Sequence, residues 1–225
     1  MKNGLYNSSF LIFHCAIAHY GGGFMYKNII FDLGNVLLSF TPLEYLKSKI
    51  KEENIESVFK AVFQSEEWIM LDRGTITEKE AISNIIERNL DYKDDINLAF
   101  ENWYDILSPI EDTVNILEEL KEKGYKLYYL SNFHQLAFEE VVKKNKFFEV
   151  FDGGVVSYAE KLIKPDEAIY KLVLERYKLN HSESIFIDDT KANVEGANKI
   201  GIKTILLESP NTLRENLKEL NIDID

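Results

Sequence analysis

A chain of 225 residues is long enough for one well-packed core with a smaller appended unit, and 45% hydrophobic and 28% charged residues are typical of a folded globular protein. The formal net charge of −12 would repel nucleic-acid backbones and anionic lipid surfaces, so neither is an expected partner. Cys15 is the single cysteine, which excludes an internal disulfide and a thiolate metal cluster and favours a cytoplasmic location.

The first 24 residues differ from the rest of the sequence. Residues 10–18 form an apolar run ending in Ala16-Ile17-Ala18, which superficially matches a signal-peptide cleavage site. The run is short, contains His14, and is separated by three glycines from a second methionine, Met25. We therefore interpret residues 1–24 as a poorly structured extension or an upstream start, too short to span a bilayer.

From residue 25 onward, short apolar runs alternate with amphipathic segments, and each run ends at small or polar residues. This pattern predicts an α/β fold with a parallel, Rossmann-like sheet, because strands that are buried on both faces are almost continuously hydrophobic. The predicted strands are residues 29–31, 127–130, 155–156, 185–187 and 204–207. Helices are predicted at residues 113–123, 166–177 and 213–222.

Residues 42–107 interrupt this alternation, because they show helical patterns and no convincing strand. We predict four helices there, at residues 43–50, 55–71, 77–89 and 94–107, with Thr77 and Glu80 forming a capping box. An insert after the first strand would lie above the carboxyl end of the sheet, where open α/β sheets bind ligands. The sequence thus predicts a helical cap on a core made of residues 25–41 and 108–225.

Polar side chains follow the predicted strands: Asp32 the first, Ser131 the second, Lys164 the third, and Asp188 with Asp189 the fourth. Because the carboxyl ends of parallel strands converge on one crevice, we expect these side chains to lie together. Three carboxylates would hold an anionic substrate only with a cation, and Mg²⁺ prefers such oxygen ligands. The pattern therefore predicts a magnesium site that takes a phosphorylated substrate, with one of the carboxylates attacking phosphorus.

The segments Asp32-Leu33-Gly34-Asn35-Val36-Leu37, Ser131-Asn132, Lys164-Pro165 and Asp188-Asp189 resemble the four ordered motifs of the haloacid dehalogenase superfamily. The resemblance spans residues 27–208, and the helical insert is similar to that superfamily's first type of cap. It implies that Asp32 is the nucleophile and a metal ligand, that the Gly34 carbonyl and Asp189 are further ligands, and that Asp188 acts through a metal-bound water. It also implies that Ser131 and Asn132 clamp the phosphate and that Lys164 stabilises charge.

Gly34 departs from the pattern of most phosphatases in this superfamily, which place a second aspartate there to protonate the leaving oxygen. A phosphatase branch with a similar Asp-Leu-Gly-Asn-Val motif includes enzymes that resemble sugar-phosphate hydrolases, so we expect a small phosphorylated metabolite, such as a sugar phosphate, as substrate. Two hypotheses account for the missing acid: the leaving group needs little protonation, or another residue donates the proton. His134, just after Ser131-Asn132, is the candidate donor, and a solvated loop histidine is the structural alternative.

Two rival functions keep the same fold. A metal-free haloacid dehalogenase would use Asp32 to attack carbon, but it would have no need of Asp188 and Asp189, which would repel a carboxylate substrate. A non-catalytic binding module is the second rival, and the retention of every other catalytic-type residue argues against it.

Several further residues carry structural predictions. The aromatic and apolar cap residues Trp68, Met70, Trp103 and Tyr104 are expected in the core of the helical bundle, because aromatic residues at helical spacing usually pack inward. Arg73 is expected at the solvated surface, with contact to a polar end of the substrate as the alternative. Asn193 is expected to support the loop at Asp189.

Overall fold

Five parallel strands form the sheet at the centre of the protein. The computed structural model describes residues 26–225. The strands are β1 (Asn28–Phe31), β2 (Lys126–Ser131), β3 (Gly153–Val156), β4 (Ser184–Asp188) and β5 (Lys203–Leu206). They lie in the order β3-β2-β1-β4-β5 with every pair parallel, which confirms the predicted fold class. The strand order reverses direction at β1, and such switch points form the ligand-binding crevice of open α/β sheets.

Both faces of the sheet are covered, because successive side chains of a strand point to opposite sides. On one face Ile29 and Phe31 join a large hydrophobic cluster that continues into the helices between β1 and β2. On the other face Ile30 packs in a smaller cluster with Tyr170 and Phe186. None of these three β1 side chains is exposed, which explains why the strands are continuous hydrophobic runs in the sequence.

Five α-helices lie within residues 42–107, after β1: α1 (Pro42–Lys49), α2 (Glu52–Phe63), α3 (Glu66–Arg73), α4 (Glu78–Arg88) and α5 (Lys93–Phe100). The capping box predicted for α4 is confirmed, since the Thr77 hydroxyl accepts a hydrogen bond from the Glu80 N–H and the Glu80 carboxylate accepts one from the Thr77 N–H. We refer to residues 42–107, which contain these five helices, as the cap.

Two predicted cap helices are wrong in extent. The predicted helix at 55–71 is two helices, because α2 ends at Phe63 and Ser65 starts α3 as its N-cap, with its hydroxyl accepting a hydrogen bond from the Trp68 N–H. The predicted helix at 94–107 stops at Phe100, and Asn102 adopts a left-handed conformation (φ 55°) before a 3₁₀ turn at Trp103–Ile106. In both places a residue with a strong local preference for caps or turns overrides the helical pattern.

Six helices complete the core: α6 (Glu111–Glu122), α7 (Gln135–Lys144), α8 (Ser157–Glu160), α9 (Glu167–Tyr177), α10 (Lys191–Lys199) and α11 (Leu213–Glu219). The short helix α8 packs against α3 of the cap. Gly74, which ends α3 with φ 67°, permits this approach: a Cβ there would lie 2.4 Å from the Tyr158 carbonyl oxygen. The Lys161 ammonium also donates to the Gly74 carbonyl, so the end of α3 is held against the core.

The chain enters and leaves the cap through two adjacent segments. The Ser39 N–H donates to the Ser108 carbonyl at 2.8 Å, and the Ile110 N–H donates to the Leu37 carbonyl at 2.9 Å. This paired connection joins the cap to the end of β1, directly beside the carboxyl edge of the sheet.

The interpretation of residues 1–24, including Cys15, concerns a segment outside the described residues. Between Tyr26 and Asp225, none of the helices combines the length and hydrophobicity that a bilayer crossing requires.

Candidate functional site

The polar residues at the strand ends lie together in the structure. Asp32 directly follows β1, Ser131 is the last residue of β2, and Asp188 is the last residue of β4. Phe31 is in register with Tyr129 and Ile187, so these three ends meet at one edge of the sheet. The Ser131 hydroxyl donates to Asp32 Oδ1 at 2.7 Å.

Lys164 connects two of the carboxylates. Its ammonium lies 2.7 Å from Asp32 Oδ1 and 2.7 Å from Asp188 Oδ2, and only 1% of its side chain is exposed. Lys164 does not follow β3 directly, as the sequence pattern predicted, because α8 and a loop intervene. The lysine therefore reaches the strand ends from the side of the crevice.

Asn132 holds the loop that carries Lys164. Its side-chain oxygen accepts a hydrogen bond from the Lys164 N–H at 2.8 Å, and its amide nitrogen donates to the Lys164 carbonyl at 3.0 Å. This pair of bonds fixes the backbone from which the buried ammonium extends. The part of Asn132 in a phosphate clamp stays a prediction, and its contact with the Lys164 backbone was not predicted.

Three carboxylates offer oxygen atoms for a cation. Asp32, Asp188 and Asp189 each place one carboxylate oxygen within 4.8 Å of the others. Hard oxygen donors on two or three carboxylates, with room for waters and a phosphate oxygen, suit Mg²⁺. The residues present thus fit the predicted ion.

Asp188 accepts several hydrogen bonds from neighbouring protein groups. Both Asp188 oxygens accept from the Asn193 amide at 3.1 Å, and Oδ1 also accepts from the Thr190 N–H at 2.8 Å. Asp188 is therefore held mainly by protein groups, which agrees with an indirect contact to a cation through water. The Asn193 bonds confirm its expected supporting position.

Asp189 is held by Asn35, a residue to which the sequence analysis gave no role. The Asn35 amide donates to Asp189 Oδ2 at 3.0 Å, while its side-chain oxygen accepts from the Phe40 N–H at 3.1 Å. Asn35 adopts a left-handed conformation (φ 53°), which asparagine tolerates better than most residues. Its place in the first motif was the available sequence signal.

Burial raises the pKa of Asp32 to about 7, an effect that Lys164 opposes and the charge of Asp188 increases. Burial lowers the pKa of Lys164, but the carboxylates of Asp188 and Asp32 outweigh this and raise it. The lysine thus remains charged at neutral pH. A divalent cation beside Asp32 would favour its ionised, nucleophilic form.

A cavity of about 130 Å³ lies between the cap and this edge of the sheet. Its polar lining consists of Gly34, Asn132 and His134 from the core and Asp72 from α3 of the cap. Its apolar lining comprises Phe40, Trp68, Trp103, Leu107 and Phe133. The residues that the cap contributes to this cavity, Trp68, Asp72, Trp103 and Leu107, are thus mostly apolar.

The cap contributes one carboxyl group, Asp72, that the sequence analysis missed. Burial raises the pKa of Asp72 to about 8, opposed by the charge of Lys164 and assisted by that of Asp32. The Ser157 hydroxyl donates to the Asp72 carbonyl and fixes the end of α3. The available signal in the sequence was an acid in the last turn of a predicted helix, where the macrodipole disfavours negative charge.

His134 is buried, with 3% of its surface exposed, so the alternative of a solvated loop histidine is wrong. Its ring centroid lies 4.2 Å from that of Trp68 and 5.1 Å from that of Trp103, and its Nε2 lies 3.3 Å from Asp72 Oδ1. Burial lowers its pKa to about 3, although a backbone contact with Trp68 opposes the shift. The imidazole is therefore neutral at physiological pH.

The predictions for the other cap residues have mixed outcomes. Trp103 is buried as expected, with 3% exposed, while Met70 is 37% exposed and its prediction as a core residue is wrong. Trp68 packs in the apolar cluster but also lines the cavity. Arg73 is half-exposed, and its guanidinium lies 3.7 Å from the Asp166 carboxylate, so that it connects the cap to the core.

The buried His134 predicts a loss of stability in acid. Its pKa is about 3 in the folded protein and about 6.5 when unfolded, so between these values the unfolded chain binds more protons and the free energy of unfolding falls as pH falls. We expect His134 to account for a loss of about 2 kcal/mol between pH 7 and pH 5. Urea denaturation of the protein and of His134→Gln at both pH values checks this. Equal pH dependence in the two proteins would contradict it.

Comparison with known proteins identifies the class to which this sheet, site and cap belong. Residues 29–207 match the model of the haloacid dehalogenase-like hydrolase family. The chain belongs to that family, which confirms the resemblance drawn from the four motifs. The finer resemblance to sugar phosphatases has no such support.

One similar protein is a phosphatase, and another has been crystallised with phosphate. The sesquiterpene phosphatase astK of Aspergillus oryzae is 27% identical over 79% of this chain and 87% of its own length. The crystal structure of a HAD family enzyme, bt-2542, from Bacteroides thetaiotaomicron, in complex with magnesium and inorganic phosphate, is 29% identical with a TM-score of 0.64, covering 80% of this chain and 93% of that one.

A third relative has the rival activity. The (S)-2-haloacid dehalogenase 4A of Burkholderia cepacia is 31% identical, but over only 45% of this chain and 44% of its own length. Family membership alone thus leaves both a phosphatase and a dehalogenase, and the choice between them depends on the site.

Proposed function

We propose that the protein is a magnesium-dependent phosphomonoester hydrolase that forms an aspartyl phosphate on Asp32. The observation that carries this proposal is the arrangement of the Lys164 ammonium at 2.7 Å from both Asp32 and Asp188, beside a third carboxylate, Asp189. A phosphoryl group facing Asp32 would have a fixed cation on one side and the ligands of a divalent cation on the other.

The residues of the site have separate tasks in this reaction. Asp32 attacks phosphorus, the bond to the ester oxygen breaks, and water then hydrolyses the aspartyl phosphate. Ser131, which donates to Asp32 without substrate, would turn its hydroxyl to a phosphoryl oxygen, and Lys164 would neutralise charge that develops there. Bound Mg²⁺ would neutralise the remaining phosphoryl oxygens. Asn132, Asn35 and Asn193 keep Lys164, Asp189 and Asp188 in place.

The residues that line the cavity indicate what kind of organic group the substrate carries. Five of the nine residues that line the cavity, Phe40, Trp68, Trp103, Leu107 and Phe133, have aromatic or aliphatic side chains. A hexose would bring several hydroxyls against Trp68, Trp103 and Phe133, where they would lack hydrogen-bond partners. We therefore infer a largely apolar phosphate ester instead of a sugar phosphate. The activity named for the Aspergillus relative, on a sesquiterpene, is in keeping with an apolar ester.

The dehalogenase alternative fits the site less well. Asp188 and Asp189 lie beside the nucleophile, and with Asp32 they would repel the carboxylate of a haloacid. A non-catalytic module would have no need to keep a lysine 1% exposed between two carboxylates, since even paired charges lose their hydration when they are buried, at a cost in stability. Both observations favour the phosphatase.

An assay of the purified protein tests this proposal. We expect release of phosphate from p-nitrophenyl phosphate with Mg²⁺, loss of that release with EDTA, and a larger kcat/KM for aryl and short alkyl phosphates than for glucose 1-phosphate and glucose 6-phosphate. Halide release from 2-chloropropionate without metal would favour the dehalogenase. No turnover of any ester would favour the binding module.

A further inference from the structure

Gly34 leaves an open position in the cavity where the leaving group would lie. A Cβ added at Gly34 would meet no atom within 4 Å, and Gly34 itself lines the cavity. Its backbone is outside the left-handed region, so glycine is not required there by conformation. The protein thus has space for a proton donor at this point but no side chain to provide one.

We propose that Asp72, supplied by the cap, is the general acid that protonates the leaving oxygen. Asp72 lines the same cavity as Gly34 and Asn132, which follow Asp32 and Ser131 closely in the chain, and it lies near enough to Asp32 and Lys164 to sense their charges. An ester whose phosphoryl group contacts Asp32 would place its leaving group in this cavity. Its helix is fixed to the core at this residue, by the Ser157 hydroxyl donating to the Asp72 carbonyl. This inference rests on the proposed phosphatase function.

The surroundings of Asp72 suit a proton donor. The groups that face it are His134 on the core side, with Nε2 3.3 Å from Asp72 Oδ1, and the more distant charges of Lys164 and Asp32. Burial raises the pKa of Asp72 to about 8, so the carboxyl group holds its proton at neutral pH. The neutral imidazole of His134, whose pKa is lowered to about 3, is a poor proton donor in comparison. Asp72 and His134 both line the cavity, and of the two the protonated carboxyl group is the better proton donor, so we assign the acid role to Asp72 with His134 as its neighbour.

The proton balance of the reaction closes with this assignment. A carboxylate oxygen of Asp32 bonds to phosphorus, the bond from phosphorus to the ester oxygen breaks, and the electron pair on that oxygen takes the Asp72 proton to form the alcohol. Asp72 is then a carboxylate. A water molecule attacks the aspartyl phosphate, gives a proton to Asp72, and releases phosphate and the Asp32 carboxylate. Asp72 ends the cycle protonated, as it began.

Esters with different leaving groups test the role of Asp72. We expect Asp72→Asn to lower kcat by about 10²- to 10⁴-fold for a benzyl or alkyl phosphate, whose alkoxide must be protonated, but by less than about tenfold for p-nitrophenyl phosphate. The fall of the alkyl-ester rate at alkaline pH in the unmodified protein should disappear in this variant. Asp94→Asn, the same change at an exposed position of α5, is the matched control and should leave both rates unchanged.

Restoration of the acid from the other side of the cavity provides an independent variant. We expect the double variant Gly34→Asp/Asp72→Asn to hydrolyse the alkyl ester at least tenfold faster than Asp72→Asn alone. Equal losses for both esters in Asp72→Asn, or no loss on the alkyl ester, would overturn the role of Asp72. If Asp72→Asn did not fold, an alkyl-ester rate of the unmodified protein that stays flat through alkaline pH would also overturn it. The proposed function fails separately, if the unmodified protein releases no phosphate from p-nitrophenyl phosphate.

Discussion

Replacement of Asp32 with asparagine is expected to lower the magnesium-dependent turnover of p-nitrophenyl phosphate by about 10⁴-fold or more, because the amide cannot form the covalent intermediate. The fold should be kept. Lys164 would retain its contact with Asp188, and the variant would no longer bury the Asp32 charge, which burial disfavours. The thermal midpoint should therefore equal or exceed that of the unmodified protein.

The intermediate itself provides the decisive measurement for Asp32. Rapid acid quench of the unmodified protein with a ³²P-labelled ester should give labelled protein that hydroxylamine releases, as expected for an acyl phosphate, and Asp32→Asn should give none. An Asp32→Asn protein that keeps a tenth of the activity would rule out nucleophilic catalysis at this residue, as would labelling that persists in the variant.

The sheet and the core half of the site followed from local features of the sequence. Strands buried on both faces must be continuous hydrophobic runs, and the residue after each run must lie at the carboxyl edge, so the positions of Asp32, Ser131 and Asp188 in the chain are enough to place them together. Lys164 was predicted to lie with these residues, and it does, but the prediction that it directly follows β3 is wrong because α8 intervenes. Its position depends on the Asn132 bonds, which join residues 32 positions apart in the chain.

The cap half of the site did not follow from the sequence, because it depends on long-range packing. The hydrophobic residues of 55–71 recur at helical spacing throughout, so their pattern predicts one helix. The N-cap at Ser65 makes α3 a separate helix, and hydrophobic spacing does not reveal such a cap. Asp72 then reaches the crevice because α3 packs on α8, through Gly74 and Ser157. The burial of His134 could not be predicted for the same reason, since the side chains that cover it, Trp68 and Trp103, belong to the insert between β1 and β2.

Replacement of Lys164 with methionine should affect both activity and stability. Methionine keeps much of the side-chain volume but leaves Asp32 and Asp188 buried without their shared cation. Loss of one partner of a buried ion pair costs about 3–5 kcal/mol, so we expect a decrease of that size in the free energy of unfolding at pH 7, together with loss of turnover. Lys171→Met, at an exposed lysine that pairs with Glu167 on α9, is the matched control and should change stability little.

The pH dependence of this stability loss distinguishes charge from packing. Without Lys164, the pKa of Asp32 should lie above its value in the unmodified protein, because the ammonium that lowers it is gone. A carboxyl group whose folded pKa is raised binds its proton more tightly in the folded state, so the variant should lose stability as pH rises and regain it as pH falls toward 5. Urea denaturation of Lys164→Met across pH 5 to 8, relative to the unmodified protein, measures this. A deficit that is constant with pH would mean that Lys164 contributes through its packing alone, and the electrostatic basis of the proposed phosphoryl site would then be wrong.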